Sequence, residues 1–106
     1  MTHRYDIYPV RDVENIIIDG IPFKGVEINV TVEYALPDTC HQPYSQGANI
    51  NNVSRIVDIN LWAIERNYGL CEFIVTYYNC TVPVIFPSIG SWIVRAVDLN
   101  ITTIVL

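Results

Sequence analysis

Few residues in this chain are of types that do chemistry, and the most reactive are three cysteines, Cys40, Cys71 and Cys80, and two histidines, His3 and His41. The adjacent Cys40-His41 pair suggests a metal site or a nucleophile beside its base. Neighbouring residues on an extended segment point to opposite sides, however, and no Cys-x-x-Cys or His-x-x-x-His spacing supplies further ligands. A structural or loop role is the expectation for both. No glycine-rich phosphate loop, Gly-x-Ser-x-Gly elbow or His-Glu-x-x-His motif occurs. Asp58 and Glu65 have no evident partner in a cleft and read as parts of solvated faces. The chain is therefore not expected to be an enzyme, and the sequence assigns it no catalytic residue, cofactor or metal.

The odd cysteine count in a short β-rich chain leaves one thiol over after any pairing. Cys80 shares its strand face with Tyr78, Val82, Val84 and Phe86 and reads as a small buried hydrophobe. Cys40 and Cys71 instead flank strands at their loop ends, so a Cys40–Cys71 bridge is favoured over three reduced thiols. Closing a loop of about 30 residues would stabilise the fold by roughly 3 to 4 kcal/mol in the chain-entropy model.

The elements that must position these residues show a period of two. From Val26 to Tyr34 the apolar set Val26, Ile28, Val30, Val32 and Tyr34 alternates with Glu27, Asn29, Thr31 and Glu33, the pattern of a strand with one buried face. Val13 to Asp19 reads as a strand ended by Asp19-Gly20. In the stretch from Val53 to Ile64, Val57, Ile59, Leu61 and Ala63 face one way and Asp58, Asn60 and Trp62 the other. Arg66 to Gly69 reads as a tight turn. Glu72 to Phe86 exceeds an average strand and predicts a bulge, a bend or a change of sheet near Tyr77 to Asn79. Trp92, Val94 and Ala96 set the inward face of the next strand, Asp98 to Asn100 a turn, and Ile101 to Leu106 the last strand. Pro43 to Asn52, rich in Gly, Pro, Asn and Ser, reads as an ordered loop and the longest connection. Met1 to Val10 is polar and reads as an N-terminal arm without the apolar core of a signal peptide. About seven strands joined by loops predict one all-β domain over residues 1–106, an antiparallel sandwich of two sheets. Val30, Val32, Ile59, Leu61, Val82, Val84, Trp92 and Val94 are its expected core.

Composition narrows the partners. With 106 residues, half of them apolar and 16% charged, the chain is suited to one packed core. A formal charge of -5 and scattered Lys and Arg residues argue against nucleic acid. No apolar run approaches the roughly 20 residues of a spanning helix.

The second half of the chain, from about Val26 to Leu106, resembles small, mostly uncharacterised bacterial secreted domains of immunoglobulin-like fold. The residues that carry the resemblance are Leu36-Pro37-Asp38-Thr39-Cys40, then Cys71, then Pro87-Ser88-Ile89-Gly90-Ser91-Trp92-Ile93-Val94-Arg95-Ala96. Trp92 stands where such domains usually carry Tyr, and Cys80 is additional. The resemblance implies an immunoglobulin-like sandwich in a secreted, periplasmic or cell-envelope location and supplies no activity. It also bears on four Asn-x-Ser/Thr sequons, at Asn29, Asn52, Asn79 and Asn100. They would mark glycans in a eukaryotic secreted protein and carry no meaning in an Asn-rich bacterial chain, the reading the resemblance favours.

The functional expectation is a non-enzymatic binding module whose partner is an unidentified protein or surface macromolecule. Two others stand beside it, an inhibitor presenting the 43–52 loop to an enzyme cleft and a structural domain that self-associates. One surface is singled out: Ile56, Trp62 and Ile64 share the parity of Asp58 and Asn60, which sets a Trp and two Ile on an outward face. Grouped exposed apolar side chains of this kind mark a contact surface, for a partner or for a homodimer. A bulge that buried Trp62, or a loop that covered it, are the competing explanations.

Overall fold

The computed structural model describes residues 5–66 and 69–106. The clearest alternation in the sequence becomes β3 (Glu27–Leu36), whose Val30, Val32, Tyr34 and Leu36 are buried. β2 (Asp12–Ile18) and β6 (Thr76–Ile85) pair antiparallel on its two sides, forming a three-stranded sheet in the order β2-β3-β6. The second sheet is built on β5 (Ile56–Arg66), which turns Val57, Ile59, Leu61 and Ala63 inward. Along one edge of β5 runs β4 (His41–Asn51). β1 (Tyr5–Pro9) and β7 (Gly90–Ala96) share the other edge end to end, and β8 (Leu99–Val105) lies beyond β7. The inner faces of the two sheets enclose one core, in which all eight expected residues are buried. Among the described residues the protein is thus an all-β sandwich of eight strands without a helix.

Several expectations are corrected. The 43–52 segment is not a loop but most of β4. An edge strand needs backbone partners on one side only, and a bulge between Pro43 and Ser45 accommodates the proline. Nor is the N-terminal segment a free arm from Tyr5 onward. Tyr5–Pro9 pairs with Arg66–Trp62, and the Val10 amide donates to the Leu61 carbonyl at 2.9 Å. The expected long strand from Glu72 starts only at Thr76: Cys71 and Glu72 are held at the Cys40 corner, and the Ile74 amide donates back to the Glu72 carbonyl at 2.8 Å. It also runs without the bulge foreseen near Tyr77: its ladder with β3 is regular from Ile85 to Thr76. The irregularities fall instead in β2, between Val13 and Asn15, and in β4. One pairing is parallel, β5 with β7 from Ile56↔Ile93 to Ile59↔Ala96. The turn expected between Arg66 and Gly69 lies partly outside the described residues.

Candidate functional site

The first candidate region is the corner between β3 and β4. Cys40 is bonded to Cys71, with Cα atoms 5.4 Å apart, within the span a disulfide bridges. Around the bridge the chain is tied by backbone and short side chains. The Cys40 amide donates to Asp38 Oδ1 at 2.9 Å, Thr39 N to the Glu72 carbonyl at 3.1 Å, and Glu72 N to Thr39 Oγ1 at 2.9 Å. Asp38 also lies within 4.8 Å of both sulfurs, but those sulfurs are bonded to each other and are not thiolate ligands.

His41 opens β4 directly opposite Glu65 of β5. Its Nδ1 is 2.7 Å from Asp38 Oδ1 and its Nε2 is 3.0 Å from Glu65 Oε2, while its ring tilts against Tyr8 at 5.8 Å. Tyr8, His41 and Glu65 border a cleft of about 460 Å³, lined also by Val10, Arg11 and Leu36. Glu65 is the main cause that raises the Tyr8 phenol above its ordinary pKa, with burial and Asp6 adding and Arg11 opposing. With a carboxylate at each ring nitrogen, His41 fastens the β3–β4 corner to β5. Sequence reasoning missed this cluster. Asp38 was visible three residues before His41, but Glu65 arrives only through the register of β4.

The Asp38 carboxyl experiences two opposed effects. Burial pushes its pKa up, but hydrogen bonds from His41 and from the Cys40 amide outweigh burial and hold it below the ordinary carboxylate value. A depressed folded value contributes stability above the unfolded pKa of about 3.9 and loses it as the pH falls through the folded value. Asp38→Asn should therefore cost about 1 kcal/mol at neutral pH, and the gap should close as the pH falls through the lowered folded value and the carboxyl is protonated in both states. Thermal melts of both proteins across that range, converging in acid, are the expected result; a constant gap would contradict it.

The second region is the outer face of the larger sheet. Trp62 is 41% exposed there, beside Pro9 of β1 and Ser45 of β4. The β4 bulge leaves the parity of β5 intact, which answers the reading in which a bulge buries Trp62. Ile64 is half-buried beside Ile7, itself half-exposed. Ile56, also half-buried, stands apart from them beside Ile93. Between the two groups, Arg95 grips Asp58 with two hydrogen bonds, Nε to Oδ1 at 2.6 Å and Nη2 to Oδ2 at 3.1 Å. The three residues singled out in the sequence are thus on one face but in two groups, and Ile7 and Pro9 join the Trp62 group from β1. Next to Trp62, the gap between the end of β1 and the turn after β7 forms a hollow of about 220 Å³ that includes Val97.

Cys80 is a free thiol, half-buried rather than buried, packed against the core on the inner face of β6. Burial raises its pKa, which disfavours the reactive thiolate. Beside it Tyr34 stacks on Tyr78 at 6.0 Å, and burial above all pushes the Tyr34 phenol up to about 12.

The fold and these two regions define a disulfide-locked β-sandwich with an apolar patch on one outer sheet face. No protein-family model, curated protein or solved structure matches the chain.

Proposed function

We propose that this chain is a non-enzymatic binding module of a secreted, periplasmic or cell-envelope compartment, which engages another macromolecule through the outer face around Trp62. The observation that carries the reading is the Trp62, Ile64, Ile7 and Pro9 group on the outer face of a hydrogen-bonded sheet. A rigid scaffold that exposes an aromatic with aliphatic neighbours has the make-up of an interface anchor. The Cys40–Cys71 bridge supports an oxidising compartment. So does the resemblance to small secreted domains of immunoglobulin-like fold, carried by the Leu36 to Cys40, Cys71 and Pro87 to Ala96 motifs. The inhibitor alternative loses its loop, since 43–51 lies in β4.

The test is retention of envelope or secreted material from the source organism on the immobilised domain. Trp62→Glu should weaken that retention by at least about 30-fold, the effect of an anchor worth about 2 kcal/mol. Its far-ultraviolet spectrum and melting temperature should stay close to those of the parent. A Trp62→Glu protein that unfolds, or that binds as well as the parent, would remove the patch as the binding surface.

A further inference from the structure

The sandwich has two open sides, and they are built differently. On one side β2 carries Asp12 and Glu14 and is bulged between Val13 and Asn15. Across from it, the end of β8 is covered, for Leu106 exchanges backbone hydrogen bonds with Pro22 and Lys24. Both are devices that discourage a further strand from adding to an edge. On the other side lie β4 and β6, which approach each other across the core. Neither Gln42–Asn51 nor Thr76–Ile85 contains a single Asp, Glu, Lys or Arg. Pro83 blunts the far end of β6, and Pro43 with its bulge blunts the start of β4. From Ser45 to Asn51 β4 is regular, and among the described residues it pairs with β5 alone.

We infer that two copies of this chain associate through β4, edge to edge and antiparallel, joining their larger sheets into one. Identical strands running antiparallel satisfy a two-fold axis, so the same edge serves both partners. The regular stretch is centred on Ala48, and beside it a Cβ placed on Gly47 would meet nothing within 4 Å, so no neighbouring group crowds the middle of this edge. Charge selects a second copy over an acidic or basic partner. Two chains of net charge -5 repel most where they display carboxylates, and neither β4 from Gln42 onward nor β6 carries one. A two-fold axis perpendicular to the joined sheet keeps both outer faces on the same side. Two Trp62 patches would then face one partner together, a gain in avidity that rests on the function proposed above, whereas the pairing itself does not.

Sedimentation of the parent at increasing concentration should show a dimer forming in the micromolar range. Hydrogen exchange at low and high concentration should slow at amides within Ser45–Asn51 as the dimer forms. Ser45→Lys/Asn49→Lys changes two exposed residues of this strand and should abolish the dimer with little change in melting temperature, while Trp62→Glu should keep it. If the double variant fails to fold, the exchange pattern of the parent decides. A parent that stays monomeric at several hundred micromolar overturns the inference. So does a dimer that survives the lysines and is lost in Trp62→Glu, a dimer without protection in β4, or a monomer that instead takes up an unrelated extended peptide along β4.

Discussion

Reduction of the Cys40–Cys71 bridge is expected to lower the melting temperature by about 15 to 25 °C. The bonded residues are 31 apart, and closing a loop of that length removes about 3 to 4 kcal/mol of denatured-state entropy in the chain-entropy model. Each kcal/mol shifts the melting point of a domain of about this size by roughly 4 to 8 °C. The loop that the bond closes contains the whole β4–β5 hairpin, and Cys71 leads into β6, so the bond links the larger sheet to the smaller one. The Thr39–Glu72 hydrogen bonds and the His41 contacts remain after reduction and keep the corner in place in the folded state. They do not restrain the unfolded chain, which is where the bond acts. Thiol titration should find one reactive group before reduction, Cys80, and three after it. Its slow reaction before reduction follows from partial burial. Cys40→Ser/Cys71→Ser should melt like the reduced parent. A melt unchanged after three thiols have been counted would show that the bond adds nothing to stability.

The bond was legible because parity separated Cys80, on an apolar strand face, from two cysteines at strand ends. The same rule located the buried faces of β3, β5 and β7, since a period of two leaves little choice of which side meets the core. It failed where backbone pairing overrode composition. Gly47, Asn49, Asn51 and Pro43 look like loop residues, yet β4 forms because β5 supplies a partner for one of its edges and a bulge absorbs Pro43. β1 was missed for the same reason: five residues have too few alternations to announce a strand, and Pro9 argues against one. The candidate sites suffered accordingly. Trp62 and Ile64 were found from β5 alone, but Ile7 and Pro9 required knowing that β1 lies beside them. His41 was set aside because its neighbours in sequence offered no ligand set, and its partner Glu65 is 24 positions away, brought opposite by register.

Parity also gives the two tryptophans opposite fates. Trp92→Ala is expected to be the most damaging single substitution in the core, whereas Trp62→Ala should cost little stability. Trp92 is 0% exposed, meets Phe86 edge to face at 5.5 Å, and donates from its indole Nε1 to the Ser88 carbonyl at 2.8 Å. Removing a buried Trp side chain costs about 3 to 5 kcal/mol. Losing the Ser88 bond adds about 1 kcal/mol, because that carbonyl is left without its donor. The damage should spread to the turn, since Ser88 Oγ donates to Asn52 Oδ1 at 2.9 Å and Arg55 donates to the Ile89 carbonyl at 2.9 Å. Both contacts join the Pro87–Gly90 turn to the turn between β4 and β5. Against a total stability of about 5 to 15 kcal/mol for a small domain, Trp92→Ala should leave a chain barely folded at 25 °C. Trp92→Phe separates the two causes: it keeps most of the ring packing and loses the hydrogen bond, so urea midpoints should place it between the parent and Trp92→Ala. A loss below about 1.5 kcal/mol for Trp92→Ala would mean that the site collapses around the gap, and that the Phe86–Trp92 contact is not what holds the two sheets together.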